Sequence, residues 1–243
     1  AIESGSSGTI RRAVRSAIML GNYGQGIRVL QITSSEAGAG KSTMSTNLAI
    51  SVAQSGKRCL LIDADCRRPA QHKMFGITND VGLSSVIQEK AEIPDAIHST
   101  EVDRLDVMTS GPRPSNPSEL LMSESFRNLL EKMRETYDFV IIDSPPVLAV
   151  TDACIVSPHT DGVLFLTRLG RNSRVVSLRG LERLRMVGAK VLGVALNAVS
   201  LEKSDYGLGR YQAGYRYGYG YVNEEDFREE PASPLPNSVE SKS

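Results

Sequence analysis

Residues 34–43 read SSEAGAGKST. The run Gly40-Lys41-Ser42 closes the pattern G-x-x-x-x-G-K-[ST], with Ser35 where the first glycine is usual. Loops of this form bind phosphate. The backbone N–H groups of Gly38, Ala39, Gly40, Lys41, Ser42 and Thr43 can surround phosphate oxygens, and a helix N-terminus favours their charge. Lys41 has the reach for the β- and γ-phosphates of a nucleotide, and the Ser42 hydroxyl suits Mg²⁺.

Carboxylates close two further apolar runs. LLIDADCRRP places Asp63 and Asp65 just past the first, with Arg67 and Arg68 following, and FVIIDSPP places Asp143 past the second. Acids at such positions can hold Mg²⁺ or accept a proton from an attacking hydroxyl. One strand-end Asp is ordinarily a turn residue. Three beside a phosphate loop point to a shared site.

A third chemical feature lies near the C-terminus. Six of the eight tyrosines, Tyr206, Tyr211, Tyr215, Tyr217, Tyr219 and Tyr221, fall within sixteen residues, separated mainly by glycine and arginine. No apolar partners accompany them, so they do not form a core.

The elements that must position these groups follow from hydrophobic period. Apolar runs at 27–33, 58–63, 105–109, 139–143, 162–168 and 190–197 read as strands, several of them continuously apolar as strands buried on both faces should be. Met44, Leu48 and Val52 line one face of a helix that Gly56 can end, and residues 123–137 and 172–188 show the same period. Such alternation predicts an α/β fold with a mostly parallel sheet and helices on both faces. In that architecture strand C-terminal ends converge on the ligand crevice, which would bring Lys41, Asp63, Asp65 and Asp143 to one rim.

The chain divides into a polar N-terminus over 1–8, a nucleotide-binding domain over 9–200 and the tyrosine cluster with an acidic tail over 201–243. The tail is too polar and Pro/Ser-rich to offset its ordering entropy, and flexibility is expected there. Within the domain, Ile10, Val14 and Ile18 share one helical face, with Arg12 and Arg15 off it. The 28 basic and 28 acidic residues balance, so no global field points to nucleic acid. Three scattered cysteines suggest a reducing cytoplasmic compartment. No apolar run reaches the roughly 18 residues of a membrane span.

Taken in order, SSEAGAGKST, LLIDADCR, FVIIDSPP and the tyrosine row resemble the bacterial tyrosine kinase family, with further likeness in SGPRPSNPSELLMS, TDA at 151–153 and VLGVALN. The resemblance spans about residues 9 to 221. It implies a P-loop NTPase-like kinase domain that uses ATP and Mg²⁺ to phosphorylate its own tyrosine cluster between subunits. Lys41, Asp63, Asp65, Asp143 and Arg67 become the catalytic candidates, with Asp63 as base and Ser42, Asp65 and Asp143 near the metal. Asn197 resembles an adenine-contacting asparagine. Arg12 and Arg15 match two arginines of an assembly helix, although Thr9 stands where that motif carries glutamate. Also implied are a transmembrane activator of the polysaccharide co-polymerase type (or a membrane segment removed from this chain), a homo-oligomer by tail exchange, a cognate tyrosine phosphatase, and a place at the inner face of the membrane in exopolysaccharide synthesis or export. Two alternatives stand beside this: an ATPase switch of the partitioning or septum-site type, and a nucleotide-sensing scaffold. The ATPases carry a lysine where this chain has Glu36, and they lack the tyrosine row.

Overall fold

The computed structural model describes Ser16, residues 26–170 and residues 172–197. Arg12, Arg15 and all six clustered tyrosines lie outside the described residues.

All six expected strands form: β1 (Val29–Ser34), β2 (Cys59–Asp63), β4 (Leu105–Met108), β5 (Phe139–Asp143), β6 (Gly162–Arg168) and β7 (Val191–Asn197). A seventh, β3 (Ile97–Ser99), is too short to show a period and was not expected. The sheet order is β3-β4-β2-β5-β1-β6-β7, and every pairing is parallel except β3 with β4. Thus β2, β5 and β1, the three strands that end in the candidate residues, are consecutive neighbours.

The three long helices also form, as α1 (Lys41–Ala53), α5 (Glu124–Thr136) and α7 (Arg174–Met186). Short helices α2 (Gln71–Phe75), α3 (Leu83–Ile87), α4 (Pro117–Met122) and α6 (Asp152–Val156) fill the connections. Side chains alternate across the pleat, so β5 feeds both layers of the core. Phe139 and Ile141 join Leu48, Ala49 and Val52 of α1, whereas Val140 and Ile142 join Phe126, Leu129 and Met133 of α5. Burial on both faces is why these strands carry no polar alternation.

The start of β1 is anchored by Asp161. Its Oδ2 accepts the backbone N–H groups of Arg28 and Val29, each at 2.7 Å, and its two oxygens accept from Arg134 Nη1 of α5 at 2.7 and 2.9 Å. Burial alone would raise this carboxyl's pKa, but the Val29 and Arg28 donors and the Arg134 guanidinium hold it below the usual range. A depressed carboxyl stabilises the fold above its unfolded pKa and stops doing so as pH falls through the folded value. Asp161→Ala should therefore cost about 1.5–3 kcal/mol at pH 7, the scale of hydrogen bonds to a charged group. Urea unfolding should show that gap shrinking below about pH 4; a gap independent of pH would remove the charge from the explanation.

Candidate functional site

β1 ends at Ser34 and α1 starts at Lys41, so the phosphate loop is the turn between them. Gly38 and Gly40 take φ of 80° and 93°, the left-handed region that a side chain disfavours. A Cβ on Gly40 would also collide with the Asn197 amide. Ser123 and Ser173 cap α5 and α7 by accepting from Phe126 N and Val176 N. α1 has no such side-chain cap. Its first N–H groups and positive dipole end are of the kind that can take an anion.

The loop is braced on two sides. Val147 N and Leu148 N donate to the carbonyls of Ser34 and Ser35 at 2.9 and 3.2 Å. Asn197 Nδ2, at the end of β7, donates to the Ala39 carbonyl at 2.8 Å, and Arg168 Nη1, at the end of β6, donates to that of Gly38 at 3.3 Å. Here Asn197 holds the phosphate loop itself.

Asp63 and Asp143 are aligned in register on neighbouring strands, with 0% and 1% of their surface exposed. Asp63 accepts three backbone donors: Asp65 N at 3.1 Å on Oδ1, and Ala70 N and Gln71 N, both at 2.9 Å, on Oδ2. These bonds and the charge of Asp143 act against each other. Burial, with Asp143 second, pushes the Asp63 carboxyl up to about 7, while the three N–H groups pull it down. Burial likewise raises Asp143, opposed by the Ser42 hydroxyl, the Gln71 amide and the charge of Lys41. Lys41 is itself buried, 8% exposed. Asp65 stands further out, half-buried, and its Oδ1 accepts Arg68 N at 2.9 Å.

Sequence reasoning missed Gln71. It is wholly buried and joins all three parts of the site. Its N–H meets Asp63, its Nε2 donates to Asp143 Oδ2 at 2.8 Å and the Ser42 carbonyl at 3.2 Å, and its Oε1 accepts from Thr46 of α1 at 2.7 Å. A glutamine eight residues after a strand-end Asp carries no motif. Its only signal is a polar side chain opening a short helix after Arg-Arg-Pro-Ala.

Arg67 is placed differently from a free phosphate ligand. Its Nε and Nη2 donate to Asp152 Oδ2 and Oδ1 at 2.8 and 3.1 Å, and Nη2 also reaches Ser118 Oγ at 3.0 Å. Asp152, the central residue of the TDA stretch, is wholly buried, so the pair pins the loop carrying Asp65 to α4 and α6.

Among the described residues no three His, Cys, Asp or Glu side chains converge to hold a metal. Magnesium takes one or two carboxylates and completes its shell with water and phosphate rather than a protein cage. Burial raises the Asp143 carboxyl, which favours a cation beside its ionised form, and the hydroxyl of Ser42 beside it is a second hard oxygen donor.

Comparison with known proteins gives a consistent picture. Residues 27–192 match the model of an AAA domain. Tyrosine-protein kinase YwqD of Bacillus subtilis is 40% identical over 197 residues, covering 81% of this chain and 83% of its own. Tyrosine-protein kinase CpsD of Streptococcus agalactiae is 39% identical over 196 residues, covering 80% and 84%. The crystal structure of the chimerical protein CapA2B2 superposes with a TM-score of 0.77 at 43% identity, covering 81% of this chain and 86% of that one.

The carboxylate pair makes a prediction about the ligand-free protein. A carboxyl raised in the folded state stabilises below its unfolded pKa and loses that contribution as pH rises through the folded value, here from about 3.8 to about 7 for Asp63. Asp143→Asn removes both the second raised acid and the charge that raises the first. In chelator without nucleotide, the Tm of the natural chain relative to Asp143→Asn should fall between pH 5.5 and pH 8. A constant or rising difference would mean that the two acids do not repel each other.

Proposed function

We propose that this chain, which belongs to the bacterial tyrosine kinase family, transfers the γ-phosphoryl group of ATP to tyrosines of the 206–221 cluster on another copy of itself. The observation that carries the reading is the buried pair Asp63–Asp143, set in register beside Lys41 and an uncapped helix N-terminus.

The geometry supports the following roles. The α1 N-terminus and the N–H groups of Gly38 to Thr43 bind the phosphates, and Lys41 offsets their charge as it shifts toward the leaving oxygen. Ser42 and Asp143 would hold Mg²⁺, with Asp65 at the outer edge. Magnesium, when bound, neutralises charge on the β- and γ-phosphates and fixes their orientation. The phenol oxygen forms the new bond to phosphorus, the bond to the β–γ bridging oxygen breaks, and ADP leaves. A phenol with a pKa near 10 is a weak nucleophile at neutral pH. Asp63 takes the phenolic proton as the bond to phosphorus forms. Arg67 acts at one remove, by holding the Asp65 loop in place.

Glu36 argues against an ATPase switch of the partitioning type. A carboxylate at that position cannot neutralise a partner's phosphate. No described helix is long and apolar enough to cross a membrane. On the family resemblance, we place the kinase beside a transmembrane activator in exopolysaccharide production, with a phosphatase reversing the modification.

The direct test mixes natural chain with Lys41→Met in γ-labelled ATP. Lys41→Met alone should lose labelling by at least about a hundredfold. Mixed with the natural chain, it should acquire labelled tyrosine. Free phosphate without labelled tyrosine would contradict the kinase reading, and label confined to the natural chain would contradict exchange between copies.

The two acids should separate in a second measurement. Asp63→Asn and Asp143→Asn should each slow transfer by on the order of a hundredfold or more. Mg²⁺-dependent nucleotide affinity should fall further in Asp143→Asn, and equal losses would make Asp63 a metal-site residue instead of the base.

A further inference from the structure

Helix α7 turns an apolar stripe outward, where a helix that covers a sheet should be polar. Its inner face is fully engaged. Gly180 and Leu184 are buried, and a Cβ on Gly180 would meet both the Phe165 ring and Ser35 of the phosphate loop. The hydroxyls of Ser177 and Thr167 share a hydrogen bond of 2.8 Å, and Arg183 Nη1 donates to the Val147 carbonyl at 3.1 Å. These contacts seat α7 firmly on the domain. On its opposite side Val175, Leu178 and Met186 are 59%, 52% and 80% exposed, with exposed Arg179 and Glu182 among them.

The order of residues along that outer side is specific. Val175, Arg179, Glu182 and Met186 are spaced four, three and four residues apart, the spacing of a helix–helix seam. The stripe is apolar at both ends, with a base and an acid in the middle. Reversed, such a pattern is its own complement. An antiparallel copy, related by a two-fold axis at the midpoint between Gly180 and Leu181, sets Val175 against the partner's Met186 and Arg179 against the partner's Glu182. Both contacts recur on the other side of the axis, as a two-fold interface requires. A parallel copy would instead oppose like charges at both central positions. A carboxylate in the middle of the stripe also disfavours an anionic lipid surface.

We infer that the outer face of α7 is a docking surface for α7 of a second copy of this chain, in antiparallel orientation. The apolar ends bury against each other, and the two Arg–Glu pairs fix direction and register. One helix face from each copy makes a small contact, so the dimer is reversible and concentration-dependent. Its geometry also separates it from tail exchange. α7 starts directly after Asn172, which bonds Glu36 of the phosphate loop, and runs away from the rim. An antiparallel pair therefore points the two rims in opposite directions, and either contact can fail without the other.

The test is native mass spectrometry of the full chain over a range of concentrations, with Arg179→Glu, Glu182→Arg and the two substitutions combined. The natural chain should form dimers. Each single variant puts two like-charge pairs across the axis and should weaken dimerisation by about tenfold or more. Mixing the two single variants, one of them isotope-labelled, should restore association as the heterodimer, because both central pairs are then opposite in charge. The combined variant should dimerise like the natural chain. Mixing does not repair a folding defect, so rescue reads the contact itself. A natural chain that stays monomeric at every concentration would overturn the inference and leave the face to another segment or a different partner. Single variants that dimerise like the natural chain would overturn it too, as would a mixture with no excess of heterodimer.

Discussion

Two carboxylates, Asp63 and Asp143, end neighbouring parallel strands in register and are closed off from water. Burying one ionised acid is unfavourable, and burying a second beside it adds repulsion. The surrounding structure answers this without a stoichiometric set of cations. Backbone N–H groups of residues 65, 70 and 71 converge on Asp63, and amide and hydroxyl groups on Asp143. What remains is a raised pair, held ready for a positive charge that arrives from outside.

The rest of the site can be understood as support for that arrangement. Gln71 ties the two acids to α1, so a shift in one is felt by the phosphate loop. Arg67 and Asp152 pin the far side of the Asp65 loop. Asn197 and Arg168 hold the carbonyls of Ala39 and Gly38, which braces the loop from the ends of β7 and β6. The core makes these positions stiff. β5 packs on α1 through one face and on α5 through the other, so the strand carrying Asp143 has no freedom to relieve the repulsion by moving.

Much of this was legible in the sequence, for a physical reason. A strand buried on both faces writes itself as an unbroken apolar run, and a phosphate loop needs glycines and a lysine at fixed spacing. The six parallel strands, the three long helices and the rim shared by Lys41, Asp63 and Asp143 follow from those two rules. The strand β3 and the four five- or six-residue helices did not, because elements that short show no period. Gln71 was invisible because its role comes from partners at positions 46, 63 and 143, far apart in sequence. Arg67 could be seen as important near the acids. Its pairing with Asp152, 85 residues away, could not be read from spacing.

On this view the buried acids hold a proton that a bound cation displaces. Calorimetry of nucleotide binding in buffers of different ionisation enthalpy counts such protons. With ADP already saturated by magnesium, so that the nucleotide's own phosphates contribute nothing, binding near pH 6 should release close to one proton, and the number should fall toward zero above about pH 8. Asp143→Asn should release fewer. Binding that releases no proton at pH 6 would mean that both acids are already ionised, and the account of the site as a pair awaiting its cation would be wrong.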